Sequence, residues 1–456
     1  MSVDENGEVI FEGVHSYGAD DDYVVPTDPN VLKKLEEFRD RKFGLFSHWG
    51  LYTEIGSMES WLLVDEEKDW SQSDLTWDTP KECQRQYKEL NKSFNPIRFE
   101  PKKWASFAKE AGFKYFILTT KHHDGFCLFD TKLTDYKTTG PDCPFRVHKN
   151  ANIIKSAFDA FRAEDISCTA YFSKADWNNH DYWDPTFKVG EPTSRGANYN
   201  TAEMPEKWEK FVQFTQDQIM EVVNTCGPID ALWFDGGQVN PLLGEDLRMN
   251  EIAEKARAVV PGMLMVDRTV GGEYENYLTP EGTFPDHAYK APWESCITLD
   301  RLGWGFKFEN DYYTPREVVH LLTNIVARGG NLALDVGPQP DGRLHHVAMS
   351  ILLAVGDWLK ANGDAIYGTR ICEPYFAEKW CFTGKNDNIY AIYLTDENET
   401  ITSLTIPIAL TPSKIELCNT NKSIDFTVND GTITLNLTAD ELKALPTLAA
   451  AFKITK

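Results

Sequence analysis

Ala231-Leu-Trp-Phe-Asp235-Gly-Gly237 decides the fold. Four apolar residues run into one carboxylate, and two glycines follow at once. A short apolar run bounded by glycine reads as a buried strand. A carboxylate at its C-terminal end cannot point unpaired into the core, because a lone buried charge is costly. Asp235 is therefore expected to face a cavity at the mouth of the strand. In a barrel of parallel strands that mouth is where catalytic groups collect.

Working outward, the same texture recurs. Phe43-Gly-Leu-Phe46 leads into Ser47-His48-Trp49-Gly50, and Phe113 to Thr120 leads into Lys121-His122-His123-Asp124-Gly125. Ser167 to Ser173 leads into Asp176-Trp177, Met263 to Val266 into Asp267-Arg268, and Asn331 to Leu334 into Asp335-Val-Gly-Pro338. Amphipathic segments lie between them, at Lys102 to Ala111, Ala151 to Glu164, Glu206 to Thr225 and Glu317 to Ala327. Strand, polar cluster and helix in repetition predict a parallel sheet. At this length they predict an α/β fold, a (β/α)8-like TIM barrel. No GxGxxG follows the first strand, so a dinucleotide site is not expected. After Tyr367 the pattern changes to alternating, β-branched runs separated by Asn, Asp, Gly and Pro, as in Asn388 to Leu394, Thr400 to Ile406 and Gly431 to Leu437. These predict a small C-terminal antiparallel β-sandwich. The expected division is a catalytic barrel over 1–368 and the sandwich over 369–456.

A chain of 456 residues with 42% hydrophobic and 12% aromatic content has ample material for such a core. Its formal charge of −24, with no basic block, argues against nucleic acid and anionic membrane surfaces as partners. Nine scattered cysteines without a CxxC pair read as reduced thiols rather than a zinc ribbon or a disulfide framework. The acidic N-terminal stretch has no apolar segment of the signal-peptide kind, so the sequence as it stands reads as cytoplasmic, and as secreted or periplasmic if a leader has been removed. No run approaches the length of a membrane span. The oligomeric state is not readable.

The expected barrel mouth collects His48, Trp49, His122, His123, Tyr171, Asp176, Trp177, Trp233, Asp235, Arg268 and Trp304. Imidazoles and carboxylates hydrogen-bond hydroxyls, and indoles stack on the apolar face of a sugar ring, so the mixture suits a carbohydrate. Tyr171 and Trp233 read equally well as core. A metal at His122-His123-Asp124 is not expected, because adjacent histidines at a strand end should diverge and no HxH or HExxH is present. No cofactor is expected.

Five blocks, in order, resemble glycoside hydrolase family 29, the retaining α-L-fucosidases: Phe43 to Gly50, Thr119 to Phe126, Leu232 to Gly236, Val266-Asp-Arg268 with Tyr277-Leu-Thr-Pro-Glu281, and Arg328 to Pro338. The resemblance implies hydrolysis of terminal α-L-fucosides from oligosaccharides or glycoconjugates by double displacement. It makes Asp235 the nucleophile and Glu281 the acid/base, with Glu294 as the rival for the second role. It makes His48, His122, His123, Tyr171, Trp233 and Arg268 sugar-binding, with Trp61 and Trp304 covering the methyl side. Two departures stand out. The family carries Glu-Trp where this chain has Glu59-Ser60-Trp61. Either Glu59 takes over through a local bulge or that hydroxyl contact has changed. Asp335 stands where the family has Asn, which is expected to alter a structural hydrogen bond only. A related pyranose such as an α-L-galactoside, or carbohydrate binding without catalysis, are the alternative readings.

Overall fold

The computed structural model describes residues 22–63, 79–186 and 195–456, and a short antiparallel pair, Ser2–Val3 with Val9–Ile10. Apart from that pair, the acidic N-terminal stretch lies outside the described residues. Seven strands form one parallel sheet: β1 (Phe43–Ser47), β2 (Tyr115–Lys121), β3 (Ser167–Ser173), β4 (Ala231–Asp235), β5 (Leu264–Asp267), β6 (Glu294–Thr298) and β7 (Asn331–Asp335). Their order in the sheet is β5-β4-β3-β2-β1-β7-β6. The strands carry near-continuous apolar runs because both faces are buried, as parallel sheets require. β6 was not among the expected strands. Its sequence, Glu-Ser-Cys-Ile-Thr, opens on a carboxylate and carries no such run.

Helices cross between the strands: α1 (Pro29–Arg41), α2 (Pro80–Lys88), α3 (Pro101–Glu110), α4 (Ile153–Arg162), α5 (Pro205–Cys226), α6 (Met249–Val259), α7 (Pro315–Ala327) and α8 (His346–Asn362). Their starts are chemically marked. Asp28 caps α1 ahead of Pro29, and Thr314 with Glu317 forms a capping box on α7. Among the described residues, none of these helices is long and apolar enough to cross a membrane.

The edges β5 and β6 do not pair with each other. Between them runs an irregular extended segment, residues 274–282, that bonds to both. Asp267 N donates to Tyr274 O at 2.8 Å and Asn276 N to Met265 O at 2.9 Å on the β5 side. Leu278 N donates to Pro292 O, Cys296 N to Pro280 O and Gly282 N to Cys296 O, at 2.9–3.0 Å, on the β6 side. The seven strands curl around one inner cluster. Every strand contributes, with Phe46, Tyr115 and Ile117, Tyr171, Ala231 and Trp233, Leu264 and Val266, Cys296 and Ala333, and Tyr277 joins from the bridging segment. Val31, Leu35 and Phe38 of α1 plug its lower end. Phe38 stacks on Tyr277 at 4.2 Å.

Beyond α8 come two antiparallel sheets. One has six strands: β8 (Arg370–Ala377), β9 (Trp380–Lys385), β10 (Asn388–Leu394), β12 (Lys414–Leu417), β13 (Lys422–Ser423) and β16 (Ala449–Thr455). The other has three, β11 (Leu404–Ile406), β14 (Phe426–Asn429) and β15 (Thr432–Leu435). Ile389 and Ala391 of β10 pack into a core shared with Ile406, Ile433 and Phe452. Tyr390 and Ile392 point the other way, into the large core of the helices and parallel sheet. A strand buried on both faces is apolar throughout, which is why this one stands out in the sequence. All nine cysteines are free thiols, seven of them buried, so packing rather than cross-links holds both parts together.

Candidate active site

The C-terminal ends of the strands open into a cavity of about 430 Å³. Its wall includes His48, Glu59, Trp61, His122, His123, Tyr171, Trp233, Asp235, Arg268, Glu281 and Trp304, the residues that the family resemblance gives to catalysis or sugar binding, the rival Glu294 excepted. The cluster expected at the mouth was too wide, however. Trp49 packs into the core against Phe99 and Trp104, Asp176 pairs with buried Lys121 at 3.1 Å, and Trp177 backs His123 and Trp61 from behind.

Asp235 ends β4 in register with Ser173 of β3. Tyr171 donates its phenol to Asp235 Oδ2 at 2.7 Å, and Arg268 Nη1 donates to Oδ1 at 3.1 Å. Burial alone would raise this carboxyl. Arg268, His123 and the Tyr171 bond outweigh burial and hold it well below the usual carboxylate range. The other arm of Arg268 pairs with Glu281. One guanidinium thus bridges two carboxylates, the fork geometry that favours arginine for this task. Glu281 reaches the cavity because its segment pairs with β6 at Cys296. Trp304 Nε1 donates to its Oε1 at 3.1 Å.

Glu294 is elsewhere. It is fully buried at the start of β6, below the cavity, where Trp233 Nε1 donates to it at 3.2 Å. Burial pushes its carboxyl up to about 7.

The expected divergence of the paired histidines does not occur. The His122 and His123 rings lie 4.2 Å apart and both face the cavity. The strand ends at Lys121 and the chain turns over residues 122–125, where Gly125 N donates to His122 O at 3.1 Å, so strand alternation does not separate the two side chains. Burial drives the pKa of His122 well below the ordinary value and that of His123 to about 4, so both are neutral near pH 7. Ser173 Oγ donates to Ala175 O and lies 2.6 Å from His123 Nδ1. Ser173 has one proton, so His123 Nδ1 must be the donor and Nε2 carries a lone pair. That Nε2 is buried on the cavity wall with no hydrogen-bond partner, 3.7 Å from Asp235 Oδ2, where it can accept from a hydroxyl.

At Glu59-Ser60-Trp61 the register question has a structural answer. Glu59 adopts φ +44, and the left-handed residue swings its carboxylate onto the cavity wall. It accepts from Trp61 Nε1 at 2.6 Å and lies 3.9 Å from His48 Nε2. Burial, opposed by His48, raises it to about 7. Ser60 turns away and sits 2.5 Å from His122 Nδ1. The local bulge is therefore present.

Asp335 makes the structural bond expected of it and does more. It accepts from His48 N at 2.8 Å, lies 2.9 Å from His48 Nδ1, and takes Gly305 N at 3.3 Å. No sequence signal linked these residues, because they lie 287 positions apart. Pairing of β1 with β7, Phe46 opposite Asp335, brings them together. Cavity residues the sequence did not flag include Phe46, Met58, Arg195, Gln238, Thr269 and Cys296.

Two triads, His48 with Glu59 and His122, and His122 with His123 and Asp235, each place one ligand atom per residue within 4.8 Å. These sets could hold a metal ion. They are equally a ring of partners for the neighbouring hydroxyls of a sugar.

The sequence profile of the α-L-fucosidase family matches residues 12–364. The chain belongs to that family. It is 30% identical to human plasma alpha-L-fucosidase over 378 residues, 78% of this chain and 75% of that one. Against tissue alpha-L-fucosidase of Bos taurus the identity is 29%, covering 86% and 81%. The fold also matches the solved structure of alpha-L-fucosidase isoenzyme 1 from Paenibacillus thiaminolyticus, with a TM-score of 0.76 and 29% identity over 93% of this chain and 99% of that one. Family membership makes the chain a glycoside hydrolase.

Proposed function

We propose that this enzyme removes terminal α-L-fucose from oligosaccharides or glycoconjugates with retention, using Asp235 as nucleophile and Glu281 as acid/base. The observation that carries the reading is the bridge by Arg268 between these two carboxylates. Retaining glycosidases keep their carboxyl groups about 5–5.5 Å apart and inverting ones about 6.5–9.5 Å. A single guanidinium touching both favours the shorter class.

Asp235, held ionised, attacks the anomeric carbon as Glu281 gives its proton to the departing oxygen. Glu281 then takes a proton from water, and hydroxide attack on the glycosyl-Asp235 ester releases the sugar. His48, Glu59, His122, His123 and Arg268 serve the hydroxyls and ring oxygen, Trp233 floors the cavity, and Trp61 and Trp304 cover the methyl side. We count residues 274–282 as the eighth position of a (β/α)8-like barrel over 1–368, with residues 369–456 as a β-sandwich domain.

Glu59 on the cavity wall removes the departure that had spoken for another pyranose. Since an α-L-galactoside differs from an α-L-fucoside only by a hydroxyl at C6, the apolar Trp61 and Trp304 on the methyl side are what favour the fucoside. A panel of aryl α-L-fucoside, α-L-galactoside and related glycosides tests this, with proton NMR of the first-formed product. Fucose released first as the α-anomer is expected. Release as the β-anomer overturns the mechanism, preference for the galactoside overturns the substrate, and no turnover on any member overturns the enzymatic reading.

A further inference from the structure

The buried pair His48–Asp335 carries information that sugar contacts alone do not require. Asp335 is 2% exposed. Its oxygens take two neutral backbone N–H groups, from His48 and Gly305, and face the ring Nδ1 of His48. A carboxylate sealed from water needs a counter-charge, since neutral donors repay only part of the desolvation cost. Among the described residues, His48, with Nδ1 at 2.9 Å, is the one basic side chain that pairs with it, and it supplies a counter-charge only when protonated. The neutral amide of an Asn at 335 could accept the same two bonds from His48, so the carboxylate adds charge rather than a new contact.

We infer that Asp335 is a charge-setting positioning residue, which holds His48 as an imidazolium whose Nε2–H points into the cavity toward Glu59. The inference rests on the sugar-site reading for its role in binding, although not for the charge itself. The carboxylates that act on His48 favour it. On the cavity side stand Glu59 at 3.9 Å and, across the floor, the anionic Asp235. Tyr171 from β3 lies at 5.4 Å between ring centroids, and its phenol is committed to Asp235. His122, 6.0 Å away, and its neighbour His123 are neutral, so neither opposes a charge on His48 strongly. Phe46 and Trp304 pack on the ring and exclude water. Burial lowers the His48 pKa, and Asp335, then Glu59 and Asp235, reverse the sign, leaving it raised.

A cation at His48 has two effects. It fixes Nε2 as a donor, and it stabilises an ionised Glu59 in its displaced register. Donor and acceptor then stand side by side, matched to two neighbouring hydroxyls.

The test has two arms. In the first, the ¹⁵N shifts of His48 in the uniformly labelled, full-length wild-type protein are followed against pH, with assignment by comparison with His48→Gln. A ring that titrates above its ordinary value near 6.5 supports the inference. A ring that titrates at or below that value overturns it. The second arm uses Asp335→Asn. His48 should titrate at least about one unit lower. KM for an aryl α-L-fucoside should rise about tenfold while kcat stays within about twofold, as for a lost binding contact. The basic limb of kcat/KM should move to lower pH with the His48 titration. If Asp335→Asn loses thermal stability while the His48 titration and the pH profile stay put, Asp335 is merely structural and the inference fails. Should that variant not fold, the wild-type titration decides alone. An enzyme inactive on all fucosides whose His48 still titrates above its ordinary value overturns the functional reading and supports the charge assignment.

Discussion

The two walls of the cavity are built differently. On one, Tyr171 lies two residues inside the end of β3, Asp235 ends β4 and Arg268 directly follows β5, all fixed by parallel register. On the other, Glu59 and Glu281 come from irregular backbone, a left-handed residue in one case and a bridging segment in the other. Each irregular carboxylate is held by an indole, Trp61 on Glu59 and Trp304 on Glu281. Strand ends place a group through the sheet itself, whereas irregular segments need a dedicated donor for each. The wall made of strand ends should therefore carry the step that tolerates least displacement, and the irregular wall the steps that depend on substrate.

The sharpest way to break this division is Asp235→Ala. The variant should fold and lose turnover by about three or more orders of magnitude, as expected for a covalent nucleophile. Azide should partly restore it by entering the vacated space. Turnover near wild type, measured with an activated aryl fucoside, would remove Asp235 from the mechanism.

On the irregular wall the effect should depend on the leaving group. Glu281→Ala should cost roughly 10²–10⁴-fold on substrates with poor leaving groups, the range for general acid catalysis, and far less on activated aryl fucosides. Glu294→Ala should slow both classes alike or destabilise the fold, because that carboxyl is sealed beneath Trp233. A leaving-group dependence seen in Glu294→Ala and absent from Glu281→Ala exchanges the two assignments.

The same division explains what could be read from the sequence. Asp235 and Arg268 were legible because an apolar run ending in polar residues is a local signal, whereas Tyr171, inside its strand, read equally well as core. β3 matches its expected span of Ser167–Ser173, and β4 and β7 match to within a few residues. β6 was missed because the run that forms it opens on Glu294 and contains Ser295 and Cys296. The convergence of His122 and His123 was missed because the chain turns after Lys121, so strand alternation does not set their directions. The bulge at Glu59 was open in the sequence, since one displaced residue can be absorbed by φ or can flip a contact. The Asp335–His48 pair was invisible, because it depends on which strands are neighbours and no local pattern encodes that.

Glu59→Gln sharpens the comparison with a smaller effect. Glutamine keeps an acceptor for Trp61 Nε1 and removes the charge. KM for aryl fucoside should rise about tenfold with kcat less affected, the signature of a contact made in both ground and transition states. A fall in kcat matching the fall in kcat/KM would instead place Glu59 in the chemical step.

Glu294→Gln should barely change turnover, and its effect should appear in stability against pH. The folded carboxyl titrates near 7 because of burial, against an ordinary value of 4.5. Between those values the unfolded chain ionises freely while the folded protein keeps its proton, so the folded state is progressively disfavoured as pH rises. The loss begins above about pH 4.5 and levels off once pH passes about 7, when both states are ionised. Its size is on the order of 1–3 kcal/mol for a shift of this kind. Glutamine does not titrate, so the variant should gain on wild type as pH rises from 5 to 8, by a few degrees in Tm. At pH 5 the two should unfold at similar temperatures, because a neutral acid and an amide differ little beside the Trp233 N–H. Parallel Tm curves across that range would mean that Glu294 is ionised in the folded protein throughout. It would then need a cationic partner in the floor of the barrel, and Arg268, already shared between Asp235 and Glu281, is the one at hand.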